Sequence, residues 1–253
     1  MPGFDYVSFT TDYGLSDGFV ASCHGVIARL APTVKVIDVS HTVAPGDVTR
    51  AAAILAQTAP HLPPAVHLAV VDPGVGTERR AVVLTTPGGV LVGPDNGLLI
   101  WAASALGGIV SATGLPTPEG ASRTFHGRDV FSPAAAKIAL GVPVEGPQID
   151  PATLIQLPDP VVQWGDGWLE AEVLTIDRFG NVQLAAPASF LRQLPDQMTV
   201  GGCRAIRGET FADAPSGGLV VFGDSADRLA VAVNGGRAAV MLAVTPGDVV
   251  RIT

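Results

Sequence analysis

Hydrophobic and polar residues follow two different rhythms along this chain. In the first part, short apolar runs alternate with segments whose apolar residues recur at helical spacing. Residues 6–10 (YVSFT), 34–39 (VKVIDV) and 65–71 (AVHLAVV) are rich in β-formers and end in polar turns, so they predict strands. Residues 18–30 (GFVASCHGVIARL) place Phe19, Val20, Val26, Ile27 and Leu30 at helical intervals, with Pro32 marking the end. A second helix is predicted over 47–59, opening after Pro45-Gly46 with Asp47 as N-cap. Strands at 81–85 and 89–92 flank a Pro-Gly turn. Further helices are predicted at 98–106 and at 132–140 (SPAAAKIAL), the latter with Ser132 as N-cap and Pro133 at the first helical position.

Strands alternating with helices imply a mostly parallel sheet covered on both faces. After Gly141 that rhythm stops. Residues 142–166 contain five prolines and long polar gaps, which reads as an extended linker. Residues 168–176 (WLEAEVLTI) and 228–233 (RLAVAV) then alternate apolar with polar or small residues, amid short strands, glycine turns and one short helix at 188–191. The expected architecture is an α/β domain over 1–145, a Pro-rich linker over 146–166 and an antiparallel, barrel-like β domain over 167–253.

Composition supports this picture and narrows the function. At 47% hydrophobic and 15% charged residues, the 253-residue chain can build sizeable cores. A net charge of −8 and no basic stripe argue against a nucleic-acid partner. The first residues, MPGFDYVSFTTDYG, show neither a basic leader nor a long apolar run. The expectation is therefore a cytoplasmic protein without a membrane partner. Two cysteines, Cys23 and Cys203, lie far apart and are expected to be buried free thiols. Five histidines without HExxH or paired spacing give no metal motif, so no metal is expected.

Polar residues cluster where strands end, and ligands of parallel α/β sheets bind beyond those ends. FTTDYGLSDGF places Asp12 where the first strand stops and Asp17 before the first helix. The two acids suit vicinal hydroxyls and an ammonium, or alternatively a turn and a helix N-cap. VVDPGVGTERR takes the third strand into Asp72, turns on glycines and brings back arginines. An arginine returning to the acid would keep the carboxylate ionised, whether in a site or in a turn-stabilising ion pair. This is no phosphate loop. TFHGRDVF sets His126 on a loop between Gly, Arg and Asp, where a proton-handling residue fits. His24, His41, His61 and His67 are less well placed, with His24 in a helix and His67 in a strand. GPDNGLL is good turn chemistry leading into a helix. In the β domain, IDRFGNV combines Asp177, Phe179 and Asn181 around a glycine, and is equally acceptable as a hairpin turn. FGDS and VNGG are further turns that suit the lining of a pocket.

FTTDYGLSDGFV, VVDPGVGTERR, GPDNGLL, TFHGRDVFSPAAA, IDRFGNV and AVNGGRAA occur in one order along nearly the whole chain. Together they resemble the S-adenosylmethionine hydroxide adenosyltransferases, relatives of the fluorinases and chlorinases. The resemblance implies an α/β domain, an extended linker and a C-terminal β-barrel. It further implies a homotrimer whose sites lie at subunit interfaces. The implied reaction is attack of water or hydroxide on the ribose 5′ carbon of S-adenosylmethionine, giving adenosine and methionine with no cofactor. It assigns Asp72, Arg79 and His126 to holding and polarising the water. Arg80 is left as a structural or surface partner. Asp12 falls to the ribose hydroxyls and Asp17 to the methionine ammonium. Asp177 and Asn181 fall to the methionine and adenine end, Ser225 to the amino-acid side, and the backbone around Val233 and Gly235 to adenine.

Departures from the halogenases are equally specific. Their serine near the second aspartate is Phe19 here, and their ribose-side tryptophan is Gly46. A TGTT-like segment is replaced by Asp72-Pro73-Gly74-Val75-Gly76, and a tyrosine by His126. A halide has no proton to give up, so an acid–arginine–histidine set would serve it no purpose. The other alternative is a catalytically silent adenosine- or S-adenosylmethionine-binding module, which has no need of a water-activating set.

Overall fold

The computed structural model describes residues 3–253, which fall into two compact units divided between Leu157 and Pro158. The first unit carries β1 (Tyr6–Thr11), α1 (Phe19–Leu30), β2 (Lys35–Ser40), α2 (Val48–Thr58), β3 (Ala65–Val70), β4 (Ala81–Thr86) and β5 (Gly89–Pro94). It continues with α3 (Ile100–Ala105), β6 (Ser111–Leu115), α4 (Ser132–Ala139) and β7 (Gln148–Ile149). Its seven-stranded sheet has the order β2-β1-β3-β5-β4-β6-β7. Neighbours among β2, β1, β3 and β5 are parallel. β4 is antiparallel to both β5 and β6, so β6 rejoins the common direction and the sheet is mostly parallel in sense.

Packing follows from the apolar runs. Every residue of β3 is buried, as expected of a central strand covered on both faces. On one face, Cys23 and Ile27 of α1 and Ala135 and Ile138 of α4 pack with Val7, Phe9 and Leu68. On the other, Leu55 of α2 and Ala102 of α3 pack with Ala69, Leu84 and Leu91. The chain goes from β1 to β2 on one side and then returns to place β3 on the other. The carboxyl ends of β1 and β3 therefore bound a crevice where strand order reverses, the natural ligand position of such a sheet.

Several local expectations change. Asp47 does cap α2, accepting from the Arg50 amide at 2.9 Å. Ser132 is not an N-cap: a π-helical turn, Gly127–Phe131, runs straight into α4, and the Ser132 hydroxyl donates back to the Gly127 carbonyl at 2.7 Å. The helix expected over 98–106 shortens to α3, and the one at 188–191 is a 3-10 turn, Ala188–Gln193. Within the Pro-rich stretch, β7 pairs with β6, and a 3-10 turn, Pro151–Thr153, follows. Cys23 is buried, whereas Cys203 is only half-buried; both are free.

The second unit holds β8 (Val162–Gly165), β9 (Trp168–Ile176), β10 (Val182–Pro187), β11 (Gln197–Val200), β12 (Cys203–Arg207) and β13 (Leu219–Gly223). It ends with β14 (Arg228–Val233), α5 (Ala238–Leu242) and β15 (Val249–Ile252). Strands follow one another as β9-β10-β14-β13-β12-β11-β15 and back to β9, which closes a barrel. Closure leaves these strands without free edges. All these pairings are antiparallel except β12 with β13. The interior is filled by alternate residues such as Leu169, Ala171 and Val173 of β9 and Leu229, Val231 and Val233 of β14.

Candidate active site at the sheet switch point

A cleft of about 310 Å³ opens at the switch point, lined by Asp12 and Tyr13 after β1, by Pro45 and Gly46, by Val70, Asp72, Pro73 and Val75 after β3, and by Thr124, His126 and Gly127. Arg79 is not among the lining residues but pairs with two of them, Asp72 and His126. Its Nε donates to Asp72 Oδ1 at 3.1 Å and its Nη2 to Asp72 Oδ2 at 2.5 Å. The same Nη2 lies 3.1 Å from His126 Nδ1. Both side chains of the ion pair are nearly buried, at 7% and 5% exposure. The Arg79 guanidinium also sits over the Phe131 ring, 5.3 Å from its centroid.

The loop between Asp72 and Arg79 makes this return possible. Gly76 has φ +76°, and a Cβ there would lie 2.3 Å from the Arg123 carbonyl oxygen. That position needs glycine on both counts. Gly74 would meet only ordinary contacts, the nearest being Arg79 Cβ at 3.5 Å. Arg80 points elsewhere: its Nε donates to Asp95 at 2.7 Å and its Nη2 to the Thr153 carbonyl at 2.6 Å. Asp95 also accepts from the Ile155 amide at 2.9 Å. GPDNGLL and Arg80 thus fasten the segment after β7, and only Arg79 joins the acid and the histidine.

Protonation follows from these bonds. A guanidinium only donates, so His126 Nδ1 must present its lone pair, which leaves the ring proton on Nε2. Burial and the neighbouring Arg79 charge both hold the His126 pKa below its usual value. Burial raises the Asp72 carboxyl above the ordinary range, while the charge and hydrogen bonds of Arg79 pull it back. Arg79 Nη1 is shielded from solvent and meets no acceptor among the described residues. A buried donor on a cation without an acceptor is costly.

Asp12 contributes from the opposite wall, where its Oδ2 accepts from the Gly46 amide at 2.8 Å. Asp17 is exposed and is not among the residues lining the cleft; the α1 N-cap is Gly18, without a side-chain cap. Arg128 and Asp129, which flank the histidine, pair with each other at 2.7 Å and do not join the set. Sequence reasoning passed over Tyr13. Its ring packs against Phe125 at 5.7 Å and Phe19 at 6.0 Å, and burial raises its pKa. A Cβ on Gly127 would lie 2.1 Å from the Tyr13 hydroxyl oxygen, so that glycine makes room for the phenol. The available signal was its position directly after Asp12 on a strand end.

In the second unit, Asp177 and Asn181 form one self-contained turn. Asp177 accepts from the Phe179 and Asn181 amides, each at 2.9 Å, and from the Asn181 side chain at 2.8 Å. Phe179 projects from its tip at 73% exposure. Ser225 is exposed in the turn joining β13 to β14, Val233 is buried at the end of β14, and Gly235 sits at φ +78° in the turn that follows.

An α/β sheet with a polar cleft at its switch point, a buried acid–arginine–histidine set and a closed β-barrel unit is the frame of an enzyme acting on a small molecule. The chain belongs to the SAM hydroxide adenosyltransferase family: residues 7–147 match that family's N-terminal domain and residues 171–251 its C-terminal domain. A protein of Salinispora arenicola (strain CNS-205) named (R)-S-adenosyl-L-methionine hydrolase is 61% identical, covering 100% of this chain and 99% of that protein. A fluorinase of Nocardia brasiliensis is 28% identical over 90% of each chain. The crystal structure of an uncharacterized conserved protein from Thermotoga maritima superimposes with a TM-score of 0.90 at 34% identity, covering 97% of this chain and 99% of that one.

Proposed function

We propose that this chain hydrolyses S-adenosyl-L-methionine to adenosine and L-methionine, by attack of water or hydroxide on the ribose 5′ carbon. The observation that carries the mechanism is the Arg79 guanidinium. It is forked onto Asp72, shared with His126, and keeps one buried nitrogen, Nη1, without an acceptor among the described residues. A nucleophilic oxygen taken up there accepts from Nη1. A second donor is available in the Nε2–H of His126. Such donors and the adjacent cation favour a water that is losing its proton. His126 in this tautomer is a donor, so Asp72, with free lone pairs and a pKa raised by burial, is the proton acceptor. The leaving group needs no acid, because a sulfonium departs as a neutral thioether. The reaction asks for in-line placement of oxygen, carbon and sulfur, which a fixed water site supplies.

Asp12, in the cleft wall, suits the ribose hydroxyls. Asp17, Asp177, Asn181, Ser225, Val233 and Gly235 are proposed to hold the rest of the substrate, in a homotrimer with sites at subunit interfaces and no cofactor. What supports this is the order and spacing of the family motifs, which contain all of these residues except Ser225. The 61% identity to the Salinispora protein extends the proposal to the (R)-sulfonium epimer as preferred substrate. Against a halogenase stand the acid–arginine–histidine set and the low identity to the fluorinase.

Incubation with S-adenosyl-L-methionine in ¹⁸O-water, with and without excess chloride, tests the reading. Adenosine labelled in its 5′-hydroxyl, together with methionine, is expected under both conditions. A 5′-chloro nucleoside, or substrate binding without any product, would replace it with one of the alternatives.

A further inference from the structure

A second group of reactive side chains lies apart from the residues lining the cleft. Asp38 of β2 stands between His24 of α1 and His41, which follows β2. Its Oδ1 is 2.8 Å from His24 Nε2 and 3.0 Å from His41 Nε2, and the three atoms all lie within 4.8 Å of one another. Phe9 of β1, fully buried, packs against both imidazoles, with ring centroids 5.8 and 4.8 Å away. Behind His41, Nδ1 is 2.8 Å from the Thr11 hydroxyl. The His41 side chain is 4% exposed, whereas those of His24 and Asp38 are 34% and 46% exposed. The cluster is closed at the back and open to solvent at the front.

We propose that His24 Nε2, His41 Nε2 and Asp38 Oδ1 form a binding site for a divalent transition cation of the zinc class, independent of the reaction proposed above. Four-coordinate zinc with bonds of about 2.0–2.1 Å holds its ligand atoms roughly 3.3 Å apart; here the two nitrogen–oxygen distances are shorter, 2.8 and 3.0 Å, and the two nitrogens lie within 4.8 Å of each other. Two imidazole nitrogens and one carboxylate oxygen suit zinc or cobalt, and disfavour the all-oxygen cations magnesium and calcium. Solvent on the open side supplies the remaining position.

Uptake of a cation moves the ring protons and asks Asp38 to draw back slightly from the two nitrogens, which lie 2.8 and 3.0 Å away. Without a cation, each Nε2–H donates to Asp38, and the Thr11 hydroxyl donates to His41 Nδ1. With a cation, Nε2 offers its lone pair, the proton moves to Nδ1, and the Thr11 oxygen becomes the acceptor. A hydroxyl serves either tautomer by rotating. Thr11 also accepts from the Tyr13 amide at 3.2 Å, and the His41 carbonyl accepts from the Gly14 amide at 2.7 Å. The cation would therefore stiffen the turn that carries Asp12 and Tyr13.

The test is titration of the full-length, tag-free chain with Co²⁺, read by ligand-field absorption and by equilibrium dialysis, followed by displacement with Zn²⁺. One Co²⁺ per chain is expected, and Zn²⁺ should displace it. Affinity should fall at least about tenfold in His24→Ala and in Asp38→Asn. His61→Ala, at an exposed histidine, and Asp72→Asn should leave it unchanged. Absence of stoichiometric Co²⁺ binding overturns the proposal. So does binding that survives both His24→Ala and Asp38→Asn, or that is lost equally in Asp72→Asn. His24 and Asp38 are both partly exposed, so these variants do not depend on refilling a core.

Discussion

At the scale of the residue, the decisive object is one guanidinium. Arg79 meets Asp72 through two nitrogens and shares one of them with His126. Lysine cannot reproduce that fork. Asp72→Asn and His126→Ala are each expected to lower the rate of adenosine formation by about 100-fold or more, with little change in substrate affinity. Steady-state kinetics with a parallel binding measurement checks this, and near-normal turnover in both variants would remove the assignment. The turn that brings Arg79 back sets a second test. Gly76→Ala forces a side chain into positive φ and against the Arg123 carbonyl, at a cost of roughly 1–3 kcal/mol. Gly74→Ala should be tolerated in urea denaturation, so equal losses in the two variants would contradict the account of this loop.

At the scale of the element, strand β3 carries both function and a pH liability. It delivers Asp72 to the cleft and buries His67 in its middle. His67 Nδ1 is bonded to the Ser8 hydroxyl at 2.8 Å, and Nε2 has no partner among the described residues. Burial lowers the His67 pKa from 6.5 to about 4. Between those values the unfolded chain binds a proton that the folded chain refuses. Stability contributed by neutral His67 is therefore complete above pH 6.5 and is lost as pH falls toward 4. The loss should reach on the order of 3 kcal/mol, at 1.36 kcal/mol per pKa unit. Urea denaturation across that range should show a shallower slope in His67→Gln, whatever its stability at neutral pH. An unchanged slope would mean that His67 is not the group responsible.

The elements also show why local reading faltered where it did. The spacing of SPAAAKIAL is that of a helix, but Ser132 sits in a continuous helical path because the π-turn before it positions His126 and Gly127. Proline spacing in 142–166 suggests a free linker. The anchoring bonds of that stretch come from Arg80, Asp95 and β6, distant in sequence and invisible to local pattern. Likewise, His24, Asp38 and His41 have no motif spacing, since a helix and an edge strand bring them together.

At the scale of the whole molecule, the two units carry different surfaces. The sheet unit holds the reacting set, and the barrel unit presents polar turns at Asp177–Asn181, Ser225 and Gly235. A homotrimer is the proposed way in which those turns meet substrate. Light-scattering mass in solution should be three times the chain mass of 25.8 kDa. An active monomer would remove that part of the proposal. No helix among the described residues is long and apolar enough to cross a membrane.

The two rhythms, the polar strand ends and the family can be read from the residue order alone, because periodicity, turn chemistry and ordered motifs are local properties written into neighbouring residues. VVDPGVGTERR by itself was legible as an acid, a glycine turn and an arginine; its reading as the seat of water activation came from the other motifs that occur with it in order. The folded chain shows the contact that the family motifs implied, Arg79 and not Arg80 returning to Asp72, and it adds what they did not carry: His126 turns its Nδ1 toward that arginine, and Tyr13 lies in the cleft beside them. These are contacts between strand ends and loops far apart in the chain. Their geometry is set by the crossing from β1 to β3 and by what the packed sheet leaves no room for.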